Sequence, residues 1–316
     1  MQDLGFYAMA VFEVYSIPIV NRYKTSICSK AALYILCSLV LTFIPPLLIA
    51  YRSQGFWMTT NTYEEQPSVR FKKQVLLIVD TQQPGEFLAW STYSNFNNIV
   101  QDNLRIPLVT SIETDTNGDG ILDQLNFTAQ VPLSTSEDVT SLQLLLFFDY
   151  RLFRMSTFQM ESLAYIRHSS VSTGSSFTSF GELKLHQKTP LRHRGVDVRY
   201  NTSIVDSASL SASTYDLTNI FRSYNQRNIT TIFPNNYPVW KSGRGATQPF
   251  TIQVIIDYPT ETIIYQPGFW ELIKWGWVQY VTILLLFLWV FREINTVVFS
   301  SKMFKTVIDR PKLKQH

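Results

Sequence analysis

The chain has 316 residues, with 27 Lys and Arg against 24 Asp and Glu, for a net charge of +3. That balance, with basic residues scattered along the chain, excludes the concentrated cationic stripe of a nucleic-acid binder. Cys28 and Cys37 are the only cysteines and both lie near the N-terminal end, so the rest of the chain is expected to fold without disulfides.

Residues 1–30 read as a short cytoplasmic lead, in which Met9 offers a second start. Residues 31–51, Ala31–Tyr51 (AALYILCSLVLTFIPPLLIAY), carry no charge. As a helix these 21 residues would cover ~31 Å, about one hydrocarbon core. The stretch is too long for a signal-peptide core and no small-residue cleavage site follows it, so it is expected to stay as a signal anchor. Pro45 and Pro46 lack the N–H groups that would bond the carbonyls of Leu41 and Thr42. A kink or an early helix end is expected there, with the Thr42 hydroxyl helping to re-satisfy the turn. Tyr51, Phe56 and Trp57 then read as an interfacial aromatic belt.

Residues 52–274, about 220 in number, are mixed in character and numerous enough to bury a core. Val69–Val79, Phe87–Tyr93, Leu104–Ile112, Ile121–Val131, Val139–Phe153, Gly181–Lys188, Val196–Ile204 and Phe250–Tyr258 are rich in β-branched and aromatic residues. Gly, Pro, Asn and Ser clusters punctuate them, which predicts strands. Tyr215–Gln226 predicts a helix capped by Asp216 or Thr218. Ser169–Ser179 (SSVSTGSSFTS) reads as a mobile polar loop. The expected fold class is mainly β: an antiparallel β-sandwich-like extracellular or luminal domain between two transmembrane α-helices.

The second span occupies residues 275–295, with its apolar centre at Trp275–Phe291. Trp275, Trp277 and Tyr280 mark one membrane surface, and Trp289 and Phe291 the other. Residues 296–316 form a basic tail. Arg22, Lys24 and Lys30 precede the first span, while Arg292, Lys302, Lys305, Arg310, Lys312 and Lys314 follow the second. The positive-inside rule therefore places both termini in the cytoplasm and the central domain outside or in a lumen. The tail either serves only as this topology signal or also attracts anionic lipid, by roughly 1 kcal/mol per charge.

Glycosylation sequons at Asn126, Asn201 and Asn228 all fall in the central domain. Asp115-Thr116-Asn117-Gly118-Asp119-Gly120-Ile121-Leu122-Asp123 places oxygen ligands at Asp115, Asn117, Asp119 and Asp123 with calcium-loop spacing. The glutamate usual at the twelfth position is replaced by Asn126, itself a sequon residue. The same stretch also reads as a plain Gly-rich hairpin turn. Glu64 and Glu65 are adjacent on an extended segment and point to opposite faces, which removes a shared acid–base role. His168, His186, His193 and His316 have no metal-ligand spacing. No nucleophile elbow, P-loop or C-x-x-C occurs, and the apolar stretches Ala31–Tyr51 and Trp275–Phe291 contain no Asp, Glu, Lys, Arg or His. Neither an enzyme, nor a small-molecule substrate, nor a nucleic-acid partner is expected.

The blocks CSKAAL (28–33), IPPLLIAYRSQGFW (44–57), YEEQPSVRF (63–71), FLAWST (87–92), YRLFRMST (150–157), YDLT (215–218), RNITT (227–231), YQPGFWE (265–271) and WVQYVTILLLFLWVF (277–291) resemble the transmembrane protein 231 family, in order along the chain. The resemblance implies a non-enzymatic scaffold of the ciliary transition zone, within the Meckel syndrome or tectonic-like complex. It implies a part in the diffusion barrier that sets ciliary membrane composition, in ciliogenesis and in Hedgehog signalling. The implied partners are tectonics, C2-like Meckel proteins and other multi-span transition zone proteins, and the implied location is the ciliary membrane. From the residues alone, a two-span channel subunit or a receptor accessory protein responding to calcium or lipid are the competing readings. Ectodomains of such channels are usually rich in cysteine, and this one has none.

Overall fold

The computed structural model describes residues 22–53, 57–83, 85–234 and 237–309. Met9, Phe56, Arg310, Lys312, Lys314 and His316, named above, lie outside these residues. In chain order the elements are β1 (Arg22–Lys24), α1 (Lys30–Arg52), β2 (Asn61–Glu65), β3 (Ser68–Thr81), β4 (Phe87–Ser91), α2 (Ser94–Ile99), β5 (Leu108–Thr114), β6 (Gln124–Val131), β7 (Val139–Leu152) and β8 (Thr157–Glu182). They continue as β9 (Lys184–Gln187), β10 (Leu191–Arg192), β11 (Val196–Tyr200), α3 (Leu217–Asn225), β12 (Ile229–Ile232), β13 (Tyr237–Ser242), β14 (Phe250–Asp257), β15 (Glu261–Gln266), α4 (Phe269–Ser300) and β16 (Val307–Asp309). The chain divides into a helical unit, residues 1–58 with 269–316, and a β unit, residues 59–268.

In the helical unit, α1 starts where the Ser29 hydroxyl accepts a hydrogen bond from the Ala32 N–H at 3.2 Å. Its buried positions are Ala31, Ser38, Thr42, Pro46 and Ala50. Spaced by seven and then by four, they form one stripe of small residues that lets the α4 backbone approach. Ser38 donates to the Asn295 amide oxygen at 3.2 Å, and Ser53 to the Gln279 amide oxygen at 3.3 Å. The Leu, Ile, Val and Phe side chains of α1 are exposed, as are many of those on α4, where Leu272, Val281, Ile283, Leu284, Phe287 and Phe291 are half-buried. At 23 and 32 residues the helices run ~35 and ~48 Å, each long and apolar enough to span a bilayer. Beyond them β1 pairs antiparallel with β16, and Tyr23, Tyr34, Phe299 and Phe304 cluster with centroids 5.2–6.5 Å apart.

The helix does not end at the two prolines; α1 continues to Arg52. Unwinding in an apolar setting would expose further backbone groups without partners, a larger cost than the two bonds that proline removes. The Thr42 hydroxyl bonds the Ser38 carbonyl at 2.7 Å, one turn before the expected position.

The β unit is built on one large sheet in the order β4-β3-β7-β8-β14-β6-β5, with β11 and β13 also paired to β8. This sheet curls. Phe71 of β3 meets Phe127 of β6 at 6.1 Å, and the Phe71 N–H donates to Glu113 of β5 at 2.7 Å, although these strands are far apart in sheet order. The concave face holds the main core, including Leu125, Phe127, Leu144, Leu146, Phe148, Tyr150, Phe177 and Phe250. A second core lies on the opposite face of β3, β7 and β8, where α2, α3 and the turn before α3 bring Phe96, Tyr215, Ile220 and Tyr224 onto Phe147 and Leu163. Strand β7 is thus buried on both faces, which is why Leu142–Phe148 reads as a nearly continuous apolar run.

The β-rich class and the two apolar helices are as expected, but the inner arrangement differs in two respects. The core is enclosed by one curled sheet, and β14–β8, β11–β8 and β10–β15 are parallel pairs. Ser169–Ser179 is not a loop: it is the middle of the 26-residue strand β8. Its second half is held between β13 and β14, with Phe177 and Ser179 both fully buried. Serine and threonine satisfy a pleated ladder, and small residues are required where Trp240 crosses. A Cβ on Gly174 would sit 2.3 Å from the Trp240 ring.

Candidate functional site

The Asp115–Asp123 segment is an exposed turn between β5 and β6 that is closed by its own hydrogen bonds. Both Asp115 oxygens accept from backbone, from Gly118 at 2.7 Å and from Gly120 at 2.8 Å. Asn117 Oδ1 accepts from the Asp119 N–H, and Asp119 Oδ1 from the Ile121 N–H, at 2.9 and 2.8 Å. Asp123 accepts from Thr116 and Asn117 N–H on one oxygen and from the Gln66 amide on the other. The Thr116 N–H, then the Gln66 amide, hold the Asp123 carboxyl below the usual carboxylate range. Gly118 and Gly120 adopt φ of 74° and 85°, the left-handed conformations that such a turn needs. Among the described residues, no group of three or more His, Cys, Asp or Glu side chains is placed to hold a metal ion.

The sequon asparagines occupy different settings. Asn201 and Asn228 are exposed, and both border Tyr200: Asn201 follows it in sequence, and the Asn228 N–H donates to the Tyr200 hydroxyl at 3.1 Å. Asn126 is half-buried in the middle of β6, where its Oδ1 accepts from Gln253 Nε2 at 3.4 Å.

Sequence reasoning missed one constellation. Glu161, 2% exposed, projects from β8 on the sheet face opposite the main core. One of its oxygens pairs with Lys72, and the other accepts from the Ile204 N–H at 2.8 Å. Arg227 donates to the Glu161 carbonyl at 2.8 Å and to the Tyr200 and Thr202 carbonyls at 3.3 Å. Its guanidinium lies 5.5 Å from the rings of Tyr200 and Tyr224, and burial pulls it below its usual pKa. The Tyr224 hydroxyl accepts from the Thr231 N–H at 2.7 Å. These contacts fasten the 200–205 segment and α3 to the sheet. Lys72 and Glu161 answer each other's charge and Arg227 is held by three backbone carbonyls, so the arrangement fixes this surface to the sheet. The one signal available in sequence was the lone charge, Glu161, inside the mostly apolar stretch Met160–Ile166.

Comparison with known proteins bears on the whole of this molecule. The family model described as Transmembrane protein 231 matches residues 9–308. Transmembrane protein 231 of Xenopus tropicalis is 52% identical over 299 residues, covering 95% of this chain and 96% of its own length. That of Homo sapiens is 48% identical over 301 residues, covering 95% of each. Among solved structures, a proton-activated chloride channel determined by cryo-EM aligns over 85% of this chain and 98% of its own, at 9% identity and a TM-score of 0.31. A likeness at that score carries no argument about fold or function.

Proposed function

We propose a scaffolding role in the membrane, and the ground for it is that the chain belongs to the transmembrane protein 231 family. The protein is a non-enzymatic component of the ciliary transition zone, in the Meckel syndrome or tectonic-like complex. It contributes to the barrier that controls ciliary membrane composition, and so to ciliogenesis and Hedgehog signalling. Both termini are cytoplasmic and the β unit is extracellular or luminal, following the charge bias around the helices.

The observation that carries this reading is the family match across residues 9–308, which includes both apolar helices and the whole β unit. The physical arrangement supports it. A scaffold needs anchorage, which two spans supply, and a rigid body, which the buried Glu161 network and two cores supply. The end strand β5 offers a backbone edge to neighbours, whereas the outer edge of β4 is taken up by Arg105 and Asn97. Tectonics, C2-like Meckel proteins and other multi-span transition zone proteins are the partners.

The test is affinity capture of the tagged full-length protein from ciliated cells, with mass spectrometry and imaging of its position. Recovery of tectonic-like partners and a ring at the cilium base is the expected result. A homo-oligomer spread over the plasma membrane would overturn it.

A further inference from the structure

Strand register places one row of side chains across the convex face of β13, β8, β14, β6 and β5. Tyr237 lies opposite Phe180, Phe180 opposite Ile255, Ile255 opposite Asn126, and Asn126 opposite Ile112. Tyr237 is 70% exposed, Ile112 54% and Phe180 41%. The next row, from Val239 through Thr178, Gln253 and Thr128 to Thr110, is also uncharged. An uncharged sheet face with an exposed apolar row is a site for self-association unless something covers it.

Asn126 interrupts this row, and it begins the acceptor sequence Asn126-Phe127-Thr128. Phe127 is fully buried, so Asn126 and Thr128 share the outer face. Asn126 Oδ1 is engaged by Gln253, whereas Nδ2, the atom that would take a sugar, makes no hydrogen bond among the described residues. Its row neighbours Ile255 and Ile112 are each one strand spacing away, ~4.8 Å.

We infer that Asn126 carries an N-glycan whose inner sugars lie along the Tyr237–Ile112 row and cover it. This face is then shielded by carbohydrate, and partners dock elsewhere on the β unit. The inference rests on the extracellular or luminal placement proposed above. In the transfer, the bond from sugar C1 to the pyrophosphate of a lipid-linked oligosaccharide breaks and the Asn126 Nδ2–C1 bond forms. The lipid pyrophosphate leaves with the electron pair and the amide loses a proton. The transfer acts on the emerging chain, before β6 is enclosed between β5 and β14. The apolar C–H faces of the sugar rings then rest on Ile255, Phe180 and Tyr237 on one side and Ile112 on the other.

The test uses full-length protein from mammalian cells, deglycosylated in 18O water and mapped by mass spectrometry. The expected result is conversion of Asn126 to 18O-labelled aspartate. Label at Asn201 or Asn228 without label at Asn126 overturns the inference and leaves the topology standing. Label at none of the three overturns the topology as well. Shielding is read separately, by trimming glycans from the folded protein and by Thr128→Ala, which retains Asn126 and its bond to Gln253. Both are expected to produce self-associated species in size exclusion, and adding Phe180→Thr to Thr128→Ala is expected to return the monodisperse form. A trimmed protein that stays monodisperse overturns the shielding.

Discussion

Lys72 of β3 forms an ion pair with Glu161 of β8 across the face of the sheet opposite the main core. The side chains are 24% and 3% exposed, so the carboxylate is desolvated and the ammonium only partly so. Removing one partner from such a pair costs ~3–5 kcal/mol, because the charge left behind has no counterion. Lys72→Met is therefore expected to destabilise the β unit by about 3 kcal/mol. Glu161→Gln keeps an acceptor for the Ile204 N–H, and combined with Lys72→Met it is expected to recover part of that loss. Urea denaturation of residues 59–268 measures both, with an unchanged slope as the check that only stability moved. A double variant less stable than Lys72→Met would contradict the pairing.

Lys72 reaches Glu161 because β3 is bulged. Phe71 pairs with Phe148 and Val75 with Leu146, so three residues of β3 oppose one of β7. Lys73 sits in this bulge with φ of 58°, a left-handed conformation that costs a side chain ~1–2 kcal/mol. Glycine adopts it freely but loses more entropy on folding. Lys73→Gly is expected to be neutral or to stabilise by up to ~1 kcal/mol, whereas Lys73→Val should destabilise, since a β-branched residue disfavours this region. The same denaturation assay ranks the two, and the reverse order would show that the bulge is not what sets the cost.

Glu261 supplies a pH signature. Burial pushes its carboxyl above the usual range, against the Leu185 N–H at 2.6 Å and the Tyr150 hydroxyl at 3.1 Å, which favour the charged form. The folded state therefore takes up this proton at a higher pH than the unfolded state does. Burial of the charge costs stability at neutral pH, and that cost disappears as pH falls through the raised folded pKa toward the unfolded one. Glu261→Gln is expected to match or exceed wild-type stability at neutral pH and to lose this advantage in the acid range. Melting curves of both proteins from neutral to mildly acidic pH decide it. A constant gap between them at every pH would rule out Glu261 as the titrating group.

The parts of this molecule legible in sequence are those governed by local pattern. The two apolar helices follow from uninterrupted hydropathy, and β3, β6, β7 and β14 from β-branched runs bounded by turns. Asp216 caps α3 as its position suggested, accepting from the Thr218 N–H at 3.2 Å. What depends on distant partners was not legible. Serine-rich β8 becomes a strand because Trp240 and β14 flank it, and neither neighbour shows in its own composition. The Glu161 network joins residues 89 positions apart at Lys72 and 66 apart at Arg227, beyond any local pattern. The apolar row through Asn126 needs the register of five strands. Its sequon was visible in the sequence, and the surface it lies on was not.

The Asp115 turn separates two readings of the same residues. Asp115 organises the loop by accepting from Gly118 and Gly120, a role that needs no cation. Loss of these charge-assisted bonds at an exposed site is expected to cost about 1 kcal/mol, so Asp115→Ala should lower the melting temperature in chelator and in millimolar calcium alike. A calcium site would behave differently. Calcium would raise the melting temperature of the wild type by mass action and leave Asp115→Ala unmoved. Acid supplies an independent check on the turn. The depressed carboxyl of Asp123 contributes stability that is present above its unfolded pKa and is lost as pH falls through its folded value. Asp123→Asn is therefore expected to be less stable than wild type at neutral pH and to converge with it in acid, with or without calcium. Failure to converge would mean that Asp123 acts through shape and not through its charge.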